Sequence, residues 1–322
     1  MEQVKHATRN ERFCKSGAVS RSISVVIPLY NKEKQISRTL ESVFRQTFQD
    51  FEVVIVDDGS SDNSVDIVKK FEDKRISIIS QLNQGVSVAR NTGINHAKYD
   101  YIALLDADDE WNPDYLQEQV NLINNYPECN VFVCAYGLRN YKGELKQIKL
   151  NKIPFTSQTG VLTNYFEVAS CSHPPICSIN IVAGKESFLS IGGFPVGVKS
   201  GEDLLTWAKL AVKYKIAFSK KVLAIFILNR VDKNIPRKLP DENDYVGQEL
   251  IKIKKQLDIS YLNRYISKWY QMRAVNYFEG RKRKKAIRNI LRAITIDLCY
   301  MKNYVWMILL VFPYFLYKMI RK

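Results

Sequence analysis

The chain has 322 residues, of which 46% are hydrophobic and 25% charged, and its formal net charge is +15. This composition excludes a disordered or collagen-like chain, and the length fits one enlarged domain with an appendage. The cysteines form neither a CxxC pair nor the dense framework of a small disulfide-bonded domain, so we expect reduced thiols at Cys14, Cys129, Cys134, Cys171, Cys177 and Cys299.

The first 125 residues alternate short apolar segments with amphipathic ones. Strands are predicted over 23–29, 51–56, 75–80 and 101–105, and helices over 33–48, 62–71 and 85–97, with a further helix opening at Pro113. Short strands that alternate with helices favour an α/β fold with a mostly parallel sheet, covered on both faces.

The alternation weakens beyond residue 130. We predict a strand over 131–140, a polar hairpin, an irregular stretch to about residue 175, a helix from Asp203 and one or two strands over 216–228. The segment 230–248 is charged and contains proline, so it is predicted to be a loop.

Polar clusters follow three of the predicted strands: Tyr30-Asn31, Asp57-Asp58-Gly59 and Asp106-Ala107-Asp108. In an open α/β sheet, ligands bind at the carboxyl ends of the strands. Asp106 and Asp108 are two residues apart, so in extended geometry they point the same way, and without a cation they would repel. Mg²⁺ or Mn²⁺ would relieve this repulsion. Capping of the helix near Pro113 by Asp108 or Asp109 is the structural alternative.

The C-terminal tail, residues 281–322, carries 11 Lys or Arg against one acid, and so about 10 of the 15 net charges. Its charge-free segment, 304–317, is shorter than the roughly 20 residues of a membrane span and contains Pro313. A basic run beside apolar residues favours attachment to a membrane interface. Packing on the core is the main alternative, and nucleic acid is not an expected partner. The apolar residues at helical spacing are Ile287, Ile290, Leu291, Ile294 and Leu298.

Several motifs occur in order over residues 23–228: ISVVIPLYNKEKQISRTLESVFRQTFQDFEVVIVDDGSSDNS, GVSVARNTGI, YIALLDADDEWNPDYL, GGF and GED. This series closely resembles family 2 glycosyltransferases of the Rossmann-like GT-A fold. The resemblance implies single-displacement, inverting transfer of a sugar from a nucleoside diphosphate to an acceptor hydroxyl. The implied divisions are an N-terminal extension (1–20), a GT-A catalytic domain (21–228) with a nucleotide-binding half (21–125) and an acceptor half (126–228), a loop and helical region (229–280), and a membrane-associating tail (281–322).

The same resemblance assigns the donor-nucleotide site to Pro28, Tyr30, Asn31, Asp57, Asp58, Gly59, Arg90, Asn91, Gly93 and Asp106. It implies that Tyr30 stacks on the base and that Asp58 accepts the imide N–H of uracil, which favours a UDP-sugar. Asp57 is expected to hold the turn, and Arg90 to lie near the base and the phosphates.

The resemblance also assigns the metal site and the catalytic acids. Asp108 is the expected direct ligand of Mn²⁺ or Mg²⁺, with Asp106 between the metal and the ribose. The metal would stabilise the charge on the departing diphosphate. No histidine follows Asp203 in the chain, so donor phosphate and water are expected to complete the metal shell. Asp203 is the expected general base, with Glu202 as the alternative and helix capping as the structural role for either acid.

The acceptor is less well defined by the sequence. A glycan or lipid-linked acceptor in bacterial surface-polysaccharide synthesis fits the composition of the tail. The first apolar stretch, 23–29, is too short and begins too late for a signal peptide, so we expect a cytoplasmic protein, peripheral on the inner face of the membrane. The remaining alternatives are a non-catalytic nucleotide-sugar or glycan-binding relative and a metal-dependent nucleotidyltransferase.

Overall fold

The computed structural model describes residues 21–228 and 239–311, and within them one sheet forms the centre of the fold. Its strands are β1 (Ile23–Leu29), β2 (Phe51–Asp57), β3 (Ile76–Ser80), β4 (Tyr101–Leu104), β5 (Glu110–Trp111), β6 (Val131–Arg139), β7 (Leu145–Gln147), β8 (Thr159–Val161), β9 (Ile181–Gly184) and β10 (Ile216–Ile227).

Helices cover both faces of this sheet and continue past its last strand. They are α1 (Ile36–Phe44), α2 (Ser64–Lys69), α3 (Val86–His96), α4 (Tyr115–Asn125), α5 (Tyr165–Cys171), α6 (Lys185–Leu189), α7 (Glu202–Lys213), α8 (Tyr245–Gln256), α9 (Leu262–Glu279), α10 (Arg283–Ile296) and α11 (Met301–Val311).

The sheet order is β3-β2-β1-β4-β9-β6-β10-β5, with β7 beside β6 and β8 beside β10. The chain runs outward from β1 to β3 and then returns to place β4 on the other side of β1. A crevice forms where the strand order reverses, and ligands of open α/β sheets bind there. This topology places the site at the carboxyl ends of β1 and β4.

The prediction of a mostly parallel sheet holds only for part of the molecule. The first four strands pair in parallel, and so do β6 and β10. The other five pairings among the described strands are antiparallel, because β9 runs opposite to both β4 and β6 and the short strands β5, β7 and β8 pair with their neighbours as antiparallel edges. The sheet is therefore mixed, and the prediction is corrected on this point.

Hydrophobic periodicity explains the N-terminal half. The strands β1 and β2 are buried almost throughout, as expected for parallel strands covered on both faces. On α1 the predicted apolar stripe packs against the sheet through Ile36, Leu40 and Val43, which are fully buried. The strands and helices predicted before residue 125 are confirmed, with ends that differ by a few residues.

The second half differs more from the sequence prediction. The stretch expected to be irregular contains β8 and α5, and the predicted loop 230–248 ends in α8, which begins at Tyr245. Residues 229–238 of that predicted loop lie outside the described residues. Residues 216–228 form one strand, β10, with irregular register between Ser219 and Ala224. Short elements of this kind carry too little periodicity to be recognised in a sequence.

The C-terminal helices pack on the sheet-containing part of the chain through α9, which contacts α5. Helix α9 contacts α5, α8, α10 and α11. On α10, Ala286, Ile290 and Ala293 are fully buried, whereas Leu291 remains 46% exposed and Leu298, just beyond the helix, 66% exposed. Of the predicted apolar stripe, Ile290 is thus packed in the core, whereas Leu291 and Leu298 are exposed. Among the described residues no helix is long and apolar enough to cross a membrane, and residues 312–322 of the tail lie outside the described part.

Candidate functional site

A cleft of about 490 Å³ opens at the crevice between β1 and β4. It is built from the end of β1 and the residues that follow it, Asp58 after β2, the start of α3 with the residues before it, and the residues that follow β4. Its lining includes six residues of the predicted donor and metal site, namely Pro28, Tyr30, Asp58, Arg90, Asp106 and Asp108, together with Leu29, Lys32, Asn83, Gly85, Val86, Ala89 and Ala107. Four separate segments of the sequence therefore meet in one cavity.

Asp106 is held on both carboxylate oxygens. Arg90 Nη2 donates to Oδ1 at 2.7 Å, and the Ser178 hydroxyl donates to Oδ2 at 2.6 Å. Burial alone would raise the pKa of Asp106, but the charge of Arg90 and the two hydrogen bonds more than offset it, so the pKa is lowered. Asp106 is thus an ionised, oriented carboxylate whose strongest partners are protein groups.

Arg90 connects this acid to the beginning of α7. Its side chain is 5% exposed, lies over the Phe194 ring at 5.1 Å, and brings Nη1 to 4.0 Å from Glu202 Oε1. Burial opposes its charge, yet Asp106, Asp203 and Glu202 together raise the pKa of Arg90. Its buried Nε and Nη1 have no hydrogen-bond partner among the described residues.

Asp203 lies in the first turn of α7, directly behind this arginine. Its carboxylate accepts a hydrogen bond from the Leu204 amide at 2.8 Å. Burial raises the pKa of Asp203 above its usual value, and the nearby positive charge of Arg90 only partly opposes that shift. A partly desolvated carboxylate with a raised pKa is a better proton acceptor than an exposed aspartate.

Helix α9 supports the turn that carries Asp203. The Tyr265 hydroxyl donates to the Leu204 carbonyl at 3.0 Å. At Gly201, φ is +82° and an added Cβ would lie 2.4 Å from the Trp269 ring, so only glycine fits between the turn and the helix. The C-terminal helices thus contribute to the geometry of the site, although they lie outside the sheet.

Asp108 pairs with a lysine side chain rather than with Arg90. Lys32 Nζ lies 2.5 Å from Asp108 Oδ2, and the side chains are 33% and 20% exposed. The described residues contain no group of three or more His, Cys, Asp or Glu arranged to hold a metal ion. One partly exposed carboxylate at the cleft, beside a resident positive charge, still fits a divalent cation whose remaining ligands come from phosphate and water.

Asp58 fixes the opposite wall of the cleft through three hydrogen bonds to its carboxylate. It is 3% exposed. Its Oδ1 accepts from Gln81 Nε2 at 2.7 Å and from the Gln84 amide at 2.9 Å, while Oδ2 accepts from the Gly85 amide at 2.8 Å. Tyr30, which is 48% exposed, presents an open aromatic face at the entrance.

The other predicted donor residues lie beside the cleft. Asp57 accepts from the Ser60 amide at 3.0 Å and thereby holds the turn after β2, in which Gly59 has φ +76°. Asn31 accepts from the Ser61 amide of that turn at 2.8 Å.

Asn91 and Gly93 lie on α3 and do not line the cleft. Asn91 exchanges two hydrogen bonds of 2.8 Å with the backbone of Phe194, which fixes the GGF loop. An added Cβ at Gly93 would lie 2.3 Å from Val26 Cγ1, so glycine lets α3 approach β1 closely. Both residues position α3, which carries Arg90.

The acids after Asp108 have structural partners that the sequence does not reveal. Asp109 is 2% exposed, and its Oδ1 accepts from the Ile227 amide at 2.7 Å. Glu110 accepts from Arg139 at 2.7 Å and pairs with Arg38. Neither acid caps α4, whose N-cap residue is Asp114. The sequence motifs likewise assign no role to Lys32 or Ser178, although Lys32 directly follows the recognised IPLYN segment.

The chain is similar to known glycosyltransferases over its N-terminal half. Residues 24–173 match the family model for Glycosyl transferase family 2. Over this part the chain resembles the family 2 glycosyltransferases. The fold of the described residues is an α/β fold of the GT-A kind.

Three relatives show how much of the chain is shared. Glycosyltransferase GlyA of Streptococcus pneumoniae is 40% identical over 110 residues, covering 34% of this chain and 16% of that protein. The putative glycosyltransferase EpsH of Bacillus subtilis is 37% identical over 117 residues, covering 36% and 33%. An uncharacterized glycosyltransferase of Rickettsia felis is 34% identical over 208 residues, covering 63% and 32%. The chain thus spans a third or less of the length of these relatives.

Solved structures support the fold over a longer stretch. The structure of Staphylococcus aureus TarS 1-349 in complex with UDP-GlcNAc has a TM-score of 0.67 and 20% sequence identity, covering 85% of this chain and 81% of that one. The complex with UDP has a TM-score of 0.65 at the same identity. The matched region extends past β10, so part of the C-terminal helical region has a counterpart in that fold.

Asp109 provides a pH-dependent test of the site. Burial and the charge of Asp106 raise its pKa to about 8. Between the unfolded value near 4 and about 8, the folded state therefore keeps a proton that the unfolded state lacks, and stability falls as the pH rises. Asn at this position keeps the acceptor for Ile227 and does not titrate. We expect the melting temperature of Asp109→Asn, relative to the wild type, to increase by several degrees from pH 5 to pH 9.

Thermal melts in EDTA measure this difference. Asp66→Asn is the control, because the Asp66 side chain is 73% exposed and should give a difference that is nearly constant with pH. A constant difference for Asp109→Asn as well would contradict the raised pKa.

Proposed function

We propose that the chain transfers a sugar, with inversion, from a UDP-sugar to a hydroxyl of a glycan or lipid-linked acceptor. The observation that carries this proposal is the position of Arg90. It pairs with Asp106 at 2.7 Å on the cleft side and lies 4.0 Å from Glu202 on the α7 side. Glu202 precedes the predicted base, Asp203, whose charge also acts on Arg90. One buried cation therefore connects the predicted donor site with the turn that carries the predicted base.

The proposed donor is a uridine nucleotide. Asp58 fits an imide N–H, because a carboxylate has lone pairs beyond those used by its three protein donors. Tyr30 offers an exposed ring on which a flat base can stack. TarS, whose structure with UDP-GlcNAc has the same fold, supports the nucleotide class.

Asp108 would hold the Mn²⁺ or Mg²⁺ ion, with donor phosphate oxygens as its other ligands. When bound, such an ion stabilises negative charge on the diphosphate leaving group. Arg90 lines the cleft, and its positive charge would add to this stabilisation. Asp106, held by Arg90 and Ser178, is better placed to orient the ribose than to bind the ion directly.

Asp203 is the proposed general base. It would take the proton of the acceptor hydroxyl as the oxygen attacks the anomeric carbon from the face opposite the leaving group, so that one displacement inverts the configuration. Its raised pKa favours this proton transfer. No protein nucleophile is needed for a single displacement.

The exchange of Asp203 for Asn tests this function. Asn keeps the size of the side chain and loses the proton acceptor, so we expect UDP release from UDP-sugars, in the presence of a bacterial lipid extract as acceptor, to fall by about 10²- to 10⁴-fold. UDP affinity, measured by calorimetry, should stay within about threefold of the wild type because Asp203 does not line the donor cleft.

Glu202→Gln is the matched control, because Glu202 precedes Asp203 in the same turn and contacts Arg90 from that side. We expect a smaller loss for this variant. Wild-type turnover in Asp203→Asn, or a larger loss in Glu202→Gln, would contradict the role of Asp203 as base.

The proposed location is the inner face of the cytoplasmic membrane, where a lipid-linked acceptor in surface-polysaccharide synthesis would be available. On α11, Met301, Val305 and Ile308 are 69%, 55% and 59% exposed and lie on one face at helical spacing. Arg292 and Lys302 are exposed nearby. An apolar strip beside basic side chains suits an anionic lipid surface.

The double variant Val305→Glu/Ile308→Glu tests this attachment on the full chain. Acidic side chains in the strip would oppose both apolar insertion and attraction to anionic lipid, so we expect at least about tenfold weaker binding to phosphatidylglycerol vesicles in a sedimentation assay. Tyr141→Glu is the control, because Tyr141 is 66% exposed in the hairpin between β6 and β7. Equal sedimentation of the double variant and the wild type would contradict the proposal.

A further inference from the structure

The motifs recognised in the sequence assign no role to Lys32. It lies three residues beyond the end of β1, lines the cleft with Arg90 and Asp108, and brings its ammonium to 2.5 Å from Asp108 Oδ2. Its backbone amide donates to the Ser64 hydroxyl at 2.7 Å, so the main chain at this residue is fixed. The four-carbon side chain beyond it is 33% exposed, and such a chain can take more than one direction.

The two acids that follow β4 pair with different cations, and Arg90 also lies 4.0 Å from Glu202. Asp106 faces Arg90, and Asp108 faces Lys32. The two pairs differ in character, because Arg90 is 5% exposed and held on both sides, whereas Lys32 reaches in from a partly exposed position. The carboxylate proposed to bind the divalent cation is therefore the one whose present partner can leave.

We propose that Lys32 is the counter-ion of Asp108 in the metal-free protein and moves to the donor diphosphate when a divalent cation takes its place. The exchange keeps every charge compensated. The cation replaces the ammonium at Asp108, and the released ammonium pairs with a phosphate oxygen of the incoming nucleotide. Lys32 is then a phosphate-contacting residue that also delays metal binding until the donor arrives. This inference rests on the proposed function.

The structure makes two separate predictions for Lys32→Met, which removes the charge and keeps a side chain of similar shape. Without nucleotide, Mn²⁺ should bind about fivefold to tenfold more tightly than to the wild type, because a partly exposed ion pair of about 1 kcal/mol no longer competes for Asp108. With saturating Mn²⁺, UDP should bind about tenfold more weakly, because one phosphate contact is lost. A residue with only a structural role would not move the two affinities in opposite directions.

Electron paramagnetic resonance of free Mn²⁺ gives the first affinity, and calorimetry with UDP gives the second. Lys34→Met is the matched control, because Lys34 is exposed two residues along the same turn and does not line the cleft. Both affinities of this variant should equal those of the wild type.

Tighter Mn²⁺ binding together with weaker UDP binding in Lys32→Met is the expected result. Mn²⁺ affinity that is no tighter than in the wild type, or UDP affinity that is unchanged, overturns the proposal for Lys32. The proposed function fails in a different way, namely if the wild type itself does not bind UDP in the presence of Mn²⁺. The two failures are therefore distinguished by the wild-type titration alone.

Discussion

The buried guanidinium of Arg90 is the interaction on which the rest of the site depends. Desolvating an arginine is costly unless carboxylates compensate for it, and here Asp106 does so at 2.7 Å, with Glu202 and Asp203 close behind. This one side chain links the carboxyl edge of the parallel strands to the first turn of α7. Burial acts to raise the pKa of both acids. Arg90 and Ser178 outweigh it at Asp106, whose pKa is lowered, whereas Arg90 only partly opposes it at Asp203, whose pKa is raised.

Residues without a proposed catalytic role hold Arg90 and the first turn of α7 in place. Asn91 ties α3 to the loop that contains Phe194, and the ring of Phe194 lies under Arg90. Helix α9 reaches the other end of the site, where Trp269 fits against Gly201 and the Tyr265 hydroxyl holds the Leu204 carbonyl. The C-terminal helices therefore have two proposed roles, since the same bundle that supports the base turn exposes the apolar strip of α11.

The sequence predicts the parallel half of the sheet well because buried strands and amphipathic helices follow strict periods, and the strand-end position of Asp58, Asp106 and Asp108 follows from that pattern. It does not predict contacts made across long separations. Ser178 reaches Asp106 over 72 positions, and Ile227 reaches Asp109 over 118. The mixed character of the sheet was missed for the same reason, because β9 enters between β4 and β6 from a later part of the chain. Hydrophobic periodicity predicts the type of a secondary-structure element, but it does not predict which other element packs beside it.

The central claim is that the cleft between β1 and β4 is a uridine-diphosphate site, and the most direct measurement is a calorimetric comparison of UDP and GDP with Mn²⁺ present. The imide N–H that suits Asp58 is presented differently by guanine, and the larger purine must fit the same wall. We predict that UDP binds at least about tenfold more tightly than GDP and that Asp58→Ala removes this preference. Equal affinity for the two nucleotides, or a preference that survives Asp58→Ala, would contradict the account.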